Sequence, residues 1–530
     1  MKYILLGRVV TMDSRSTVIS DGAIYVDGNA IVAVGEHDAA APAGFSGIKP
    51  VKTGGTIFPG FIELHNHLSY DSLPLWQVPK KFTNRNQWQD NADYTSKVSA
   101  PMGVIAGSSD PRLLAAVARY AETKCLLGGV STSQGISLKG DNLKTTYRSA
   151  MRVVDDPGDP AFPAANTRIP DVDASSWTSF KKEVDNASCL LLHLSEGLDE
   201  KAREAFLALE HGGKWALGPA LAGIHCAALQ AADFAVMAAK QSSVIWSPLS
   251  NLLLYGGTTD IKAARAAGVR VALGSDWSPS GSKNLLNELK VAKAANESFG
   301  IGLSDRDIVA MATSTPAQIV KWDALVGSIA AKKRADFMVV SAPSSADPYT
   351  SLIKARESDL ELLIIDGRPV VGTPALMAAL GTSGESFKLS AHKRVIDYGP
   401  GDARVPTLTY AQAHAAMVDA LSRLPHLHTD EKAGKGVNHH VLTKSAAPQL
   451  HLALDEQHDG GYALRPRLLF HGEPTGPDAD PHLGAKAPVA LKPLKIDPPT
   501  VADDPHYAAN LQAQINIPAE IKLQLKSFYD

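Results

Sequence analysis

Cysteine is the first scarcity. The 530-residue chain holds three, Cys125, Cys189 and Cys226. They are odd in number and show no C-x-x-C spacing, which excludes a disulfide framework and points to a reducing, cytoplasmic setting. A charge of one sign is missing too. Lys and Arg number 52 against 55 Asp and Glu, a formal net charge of -3. No basic field is available for nucleic acid or an anionic membrane surface, so neither is expected as a partner. Long apolar runs are also lacking: none reaches the 18 or so residues of a membrane span. The N-terminal "MKYILLGRVVTMD" is interrupted by Arg8 and shows no small-residue cleavage site, so it reads as a strand, not a signal peptide. What the chain does have is a hydrophobic content of 45% with 20% charged residues. That suits a soluble protein of two to four domains, one of which can be a large barrel.

The texture changes along the chain. Residues 1–58 read as short strands closed by glycine, such as "AIYVDG" and "AIVAVG". From 59 to 324, apolar runs alternate with Ala- and Leu-rich helical patterns. The strand candidates are "FPGFIEL", "GGVSTSQGI", "SAMRVV", "SCLLLHL", "LAGIHC", "SSVIWSP" and "RVALGSD". Between them lie helices such as "DPRLLAAVARYAETKCLLG" and "CAALQAADFAVMAAKQ". This alternation predicts an α/β fold with a (β/α)8 TIM-like barrel, although an open doubly wound sheet follows the same pattern. Strand patterns return over 325–375 and suggest a small β-domain assembled from both ends of the barrel sequence. Residues 376–428 read as a partly helical extension. The Pro-, Gly- and His-rich 429–530 reads as an extended tail with a terminal helix in "NIPAEIKLQLKSFYD".

In a barrel the chemistry gathers at the C-terminal ends of the strands. Four strand candidates end in ligand-type residues. The first runs into His65 and His67, which share one side of an extended chain. The others end in His193, His225 and Asp276. An H-x-H pair alone is weak evidence, because two polar residues on one strand face are common. The set taken together is far more specific. Imidazoles with one carboxylate suit Zn2+ or Fe2+ and leave a position for water. Glu196, three residues beyond His193, is placed to move protons. His225 can hold or polarise the electrophile.

These residues resemble the amidohydrolase superfamily, in the mononuclear branch that includes cytosine and S-adenosylhomocysteine deaminases and the s-triazine chlorohydrolases. The matching pieces are "PGFIELHNH", "LLLHLSEG", "GIHCAAL", "SPLSNLLLYGG", "ALGSDWSPSGSKNLLNEL", "ATSTPAQIV" and "VGSIAAKKRADFMVV". The resemblance implies a barrel with a β-sandwich built from both termini. It implies one divalent transition metal, Zn2+ ahead of Fe2+, held by His65, His67, His193 and Asp276. Glu196, His225 and Asp276 would be catalytic. Binuclear relatives carry a carboxylated lysine at the end of the fourth strand. Lys181 and Lys182 sit instead in a helix or loop ahead of His193, which favours one metal.

The sequence departs from familiar members around "SDWSPSGSKN" and in the long stretch that follows the first strand. Trp277, Trp76, Trp88 and Asn251 are candidate substrate contacts. For the tryptophans the plain alternative is packing; for Asn251 it is turning the chain. Ser278, Ser280, Ser282 and Lys283 add possible donors. Cys226 beside His225 reads as a buried thiol. The histidines after residue 420, including His439 and His440, follow no ligand spacing. The expected activity is metal-dependent hydrolysis of a non-peptide C–N bond on a small polar, cyclic substrate. Hydrolytic dehalogenation or linear amide hydrolysis on the same site, or a non-catalytic barrel scaffold, are the alternatives. A small molecule is the expected partner, with a homo-oligomer also open.

Overall fold

The computed structural model describes residues 1–108, 110–140, 143–172, 176–343, 345–427, 450–454 and 491–529. His439 and His440 lie outside the described residues. Both ends of the barrel sequence feed one nine-stranded sheet. Lys2–Val10, Val18–Asp27, Ala30–Glu36 and Val51–Pro59 come from the N-terminal side. Phe337–Val340, Leu360–Ile365 and Arg368–Gly372 come from the other side. Two strands of the segment expected as partly helical, Glu385–Leu389 and His392–Ile396, extend the same sheet. The halves join where Val51–Pro59 pairs antiparallel with Phe337–Val340, from Pro59↔Phe337 to Thr56↔Val340. Apolar alternation buries residues on both faces, Leu5, Val9 and Ile57 on one and Ile4, Leu6 and Tyr25 on the other.

Between these halves run eight parallel strands. They are β1 Phe61–Ile62, β2 Val130–Ser133, β3 Arg152–Val153, β4 Ala165–Arg168, β5 Cys189–Leu194, β6 Leu221–His225, β7 Ser243–Trp246 and β8 Arg270–Leu273. Ladders join β1 to β3 and β4 to β8. Backbone bonds bridge the seams. The Ala165 N–H donates to the Val154 carbonyl at 2.8 Å, and Asn66 forms a parallel bridge with Asp276. The arrangement is of the TIM-barrel type with an additional domain. Strands covered by helices outside are buried on both faces, as in β5, where every residue is buried.

Strand β4 escaped the sequence reading. Its residues are Ala-Asn-Thr-Arg, with Asn166 and Thr167 exposed, so no apolar run marks it. β1 is also shorter than the apolar run suggests, and His65 and His67 lie beyond it.

The helix Pro111–Leu127 starts where Asp110 caps the Arg112 N–H and proline takes a first-turn position. It is buried almost all round because Tyr410–Ser422 packs on its outer side. Residues 491–529 lie against the barrel. They include the helices Tyr507–Ala513 and Ala519–Ser527, the latter packed on Leu285–Ser298. Among the described residues no helix is long and apolar enough to cross a membrane.

Candidate active site

The strand ends converge on one point. His65 Nε2 and His67 Nε2 each lie 3.2 Å from His193 Nε2. Asp276 Oδ1 lies 3.3 Å from His65 Nε2 and 3.5 Å from His67 Nε2. A tetrahedral ion with bonds of about 2.0–2.1 Å spaces its ligand atoms about 3.3–3.4 Å apart. The donor set of three imidazoles and one carboxylate therefore fits a single zinc-type cation in both spacing and chemistry. His225 adjoins it, with its ring centroid 4.8 Å from that of His65, and a second grouping of His65, His193 and His225 is also compact.

The H-x-H pair converges without a regular strand. The Asp276 N–H donates to the His65 carbonyl at 3.0 Å, and the His67 N–H donates to the Asp276 carbonyl at 2.6 Å. Pairing across the seam between β1 and β8 thus replaces strand alternation. Gly274 permits the approach, since a Cβ there would stand 2.5 Å from the His65 Cβ. Ser195, His225, Cys226 and Asp276 all take left-handed backbone conformations, with φ of 51°, 64°, 52° and 69°. Such conformations are uncommon outside glycine and concentrate at working sites.

Burial sets the electrostatics. It holds His65 and His193 well below the ordinary imidazole value, with the neighbouring imidazoles adding to the effect. His225 is pushed down to about 3, chiefly by burial. All three are neutral at pH 7, the form that coordinates a cation. Beneath them Glu63 accepts from the Ser275 N–H at 2.8 Å, from the Ser275 hydroxyl and from the Asn66 amide. Burial raises its carboxyl to about 7.

One helix holds three of these groups. Pro248–Tyr255 follows β7 directly. Ser247, Asn251 and Tyr255 recur every four residues and so share one face. The Ser247 hydroxyl lies 2.7 Å from His65 Nδ1, which turns Nε2 toward the cluster. The Tyr255 hydroxyl donates to Glu196 Oε1 at 2.7 Å and accepts from the Trp88 indole N–H at 2.8 Å. Asn251 Oδ1 lies 3.0 Å from His225 Nδ1. The Thr259 hydroxyl donates to the His225 carbonyl at 2.6 Å, so it must accept from Asn251 Nδ2. That orientation makes His225 Nδ1 the protonated nitrogen and leaves a lone pair on Nε2. Ser247 and Tyr255 were missed from sequence; their signal was a polar residue every fourth place in the apolar "SPLSNLLLY". Glu63, a lone charge in "FPGFIEL", was the other signal passed over.

Glu196 Oε2 faces His225 Nε2 at 3.8 Å and Arg85 Nη1 at 3.9 Å. The segment bearing Glu196 is zipped to the loop after β1. Arg85 N–H donates to the Glu196 carbonyl at 3.1 Å, Leu198 N–H donates to the Thr83 carbonyl at 2.7 Å, and Asn84 bridges Gly197. A cleft between Asn84–Asn86, Asp171 and Lys201 leads to His193 and Glu196.

The tryptophans separate into two groups. Trp277 packs edge-on to His67 with centroids 5.4 Å apart. Trp88 lies 6.1 Å from Trp277 and reaches Glu196 through Tyr255. Trp76 stands one layer out, stacked on Phe82 and bonded to Asp93. The donors expected near Asp276 are committed to the scaffold. Ser278 binds Lys124 and Asp71, Ser280 binds the Trp277 indole, Ser282 binds Glu288, and Lys283 binds Asp497. Lys181 pairs with Asp185 on the helix Trp177–Asn186, away from any strand end. The three thiols are free and buried.

Residues 188–370 match the family model described as "Amidohydrolase family". The chain is 25% identical over 413 residues to the 5-methylthioadenosine/S-adenosylhomocysteine deaminase of Syntrophobacter fumaroxidans, covering 69% of this chain and 91% of that one. Among solved structures it is similar to a mutant of atrazine chlorohydrolase from Arthrobacter aurescens complexed with zinc and atraton. The TM-score is 0.55 at 20% identity, over 70% of this chain and 95% of that one. It is also similar to an adenosine deaminase from Xanthomonas campestris with bound zinc, with a TM-score of 0.55 at 16% identity, over 81% and 98% of the two chains.

Proposed function

From its resemblance to the amidohydrolase superfamily as premise, we propose that this chain is a zinc-dependent hydrolase that cleaves a non-peptide C–N bond of a small polar cyclic compound, releasing ammonia from an aminopurine-type ring. The observation that carries the reading is the convergence of His65, His67, His193 and Asp276 at 3.2–3.5 Å with Glu196 beside them. The relative named as a methylthioadenosine deaminase and the adenosine deaminase structure support the substrate class. Zinc in two structural neighbours supports the metal. The backbone bonds at both seams support a closed (β/α)8 ring, and three free thiols suit the cytoplasm.

His65, His67, His193 and Asp276 would hold the ion, which when bound acidifies a water toward neutral pH and polarises the electrophile. Glu196 accepts from Tyr255 at Oε1, and its Oε2, 3.8 Å from His225 Nε2, would take the water's proton and return it to the departing nitrogen. Neutral His225 presents a lone pair at Nε2 and so accepts from the attacking water or from a ring N–H, while Asn251 fixes its tautomer instead of touching substrate. Asp276 Oδ2, 4.0 Å from His225 Nε2, would assist while Oδ1 ligates. Trp277 and Trp88 supply an apolar wall suited to a flat ring.

The test measures metal content, then ammonia release from 5′-methylthioadenosine, adenosine and guanine beside chloride release from a chlorotriazine. One zinc per chain and ammonia from a purine are expected. Chloride release alone would transfer the assignment to dehalogenation, the second reading, which the likeness to atrazine chlorohydrolase favours. A metal-free, inert protein would favour the scaffold.

A further inference from the structure

The C-terminal segment 491–529 lies beyond the family match, yet it reaches the barrel mouth. Its Asp497 is 2% exposed and sits between two buried ammonium groups. Oδ2 accepts from Lys124 Nζ at 2.7 Å and Oδ1 accepts from Lys283 Nζ at 2.5 Å. Lys124, on the helix Pro111–Leu127, also donates to the Asp71 carbonyl at 2.7 Å and to the Ser278 hydroxyl. Ser278 in turn donates its N–H to Asp71 Oδ1 at 2.9 Å. Lys283 binds Asp504 as well, at 3.0 Å. Ser278 is two residues from Asp276 and next to Trp277. Asp71 opens the loop that carries Trp76, Arg85 and Trp88.

The same segment grips that loop further along. Asp497 N–H donates to the Ser72 carbonyl at 2.9 Å. Gln514 accepts from the Val78 N–H at 3.2 Å and donates to the Trp76 carbonyl at 2.9 Å. Asn516 donates to the carbonyls of Lys80 and Leu253 at 3.1 and 2.8 Å. The loop is tied across to the β8 loop by the Trp76 N–H on the Pro279 carbonyl at 2.7 Å.

We infer that Asp497 is a positioning residue for the site. By bridging Lys124 and Lys283, it locks the 276–284 loop and the loop after β1 into one register, and so sets Asp276 and Trp277. Without that carboxylate, Lys124 is left buried with only the Asp71 carbonyl and the Ser278 hydroxyl as hydrogen-bond partners, Lys283 is left with Asp504, and the anion that joins the two loops is lost. The inference rests on the metal reading for its zinc arm only.

The experiment compares wild type, Asp497→Asn and Asp305→Asn in the full chain. Asp305 accepts from Lys293 at 2.8 Å and from the Thr350 hydroxyl at 2.6 Å and touches neither loop, so it reports loss of a bonded carboxylate elsewhere on the barrel. In the metal-free proteins, hydrogen–deuterium exchange should quicken at least tenfold over 71–82 and 276–284 in Asp497→Asn and in neither stretch of Asp305→Asn. Zinc dissociation constants from chelator competition should rise at least tenfold for Asp497→Asn and stay within twofold for the control. Faster exchange confined to 491–529 with unchanged zinc affinity would reduce Asp497 to a stability role and overturn the inference. A wild type that binds no zinc would count against the metal reading, and the exchange rates would still decide this one. Should Asp497→Asn not fold, Asp497→Glu, which keeps the charge and moves the carboxylate by one methylene, is read the same way with smaller changes.

Discussion

Replacing Gly197 by alanine tests how Glu196 is held. Gly197 has φ of +144°, and a Cβ built there meets the Thr83 carbonyl oxygen at 2.5 Å, the Asn84 Cα at 2.7 Å and the Ala202 Cβ at 2.9 Å. The first two are backbone atoms of the strand-like stretch bonded to Glu196, so no side chain can swing aside. Ordinary carbon contacts start near 3.5 Å, so the Thr83–Arg85 backbone must retreat by about 1 Å. The backbone conformation itself costs about 1–3 kcal/mol for a non-glycine residue. The overpacking costs about 1–3 kcal/mol more. Gly212→Ala is the matched control: its φ is +59° and nothing lies within 4 Å of the added methyl. Its loss should be about 1–2 kcal/mol, from the left-handed backbone alone. Urea unfolding followed by tryptophan fluorescence should therefore place Gly197→Ala about 2–3 kcal/mol below Gly212→Ala, the difference between the midpoints of these costs. Steady-state kinetics should show a kcat loss of up to about 100-fold, the scale of a 1 Å misplacement, in Gly197→Ala alone. Equal stability losses, or full kcat in a destabilised Gly197→Ala, would refute the claim that this zipper aims the carboxylate.

Glu196→Gln should keep its zinc by elemental analysis and lose about 10²–10⁴ in kcat, since the amide takes no proton. Tyr255→Phe removes a hydrogen bond to that carboxylate and should lower kcat roughly 10- to 100-fold with little change in KM, as read from full saturation curves. Zinc should raise the thermal midpoint of the chelated protein in a concentration-dependent way, and His67→Ala should abolish the rise. Burial lowers Lys290 to about 8 from the ordinary lysine value of 10.5. Below pH 8 the native state carries the full cost of a buried cation, and between 8 and 10.5 the unfolded chain binds the extra proton. Stability relative to Lys290→Met should therefore rise with pH across that window, by about 1.4 kcal/mol per unit at most, in urea titrations at several pH values.

Where an apolar run stops at a ligand-type residue, as at His193, His225 and Asp276, the sequence exposes both the strand and its chemistry, because a polar group that ends a buried strand stays buried only with polar partners. Ala165–Arg168 shows the limit: a strand whose outward residues are polar carries no periodic signal. His65 and His67 were read on strand geometry, yet their alignment comes from bonds to a residue over 200 positions away. The helix face of Ser247, Asn251 and Tyr255 was open to inspection, since polar residues four apart in an apolar helix share one face and each needs a polar partner there. Ser278 and Lys283 misled for the opposite reason. Nothing in their neighbourhood announces that Asp71 and Lys124 take up Ser278, or that Asp497, 214 positions beyond Lys283, folds back onto that lysine.

That distance matters while the chain is being made. Asp497 follows Lys283 by 214 positions and Lys124 by 373. At about 5–20 residues per second, the first lysine emerges about 20–75 s and the second about 10–40 s before their shared anion exists. During that interval the helix Pro111–Leu127 cannot bury Lys124 against the 276–284 loop at its native depth. The barrel mouth thus sets late in the nascent chain, and the cluster of His65, His67, His193 and Asp276 gains its native surroundings only once Asp497 has been made.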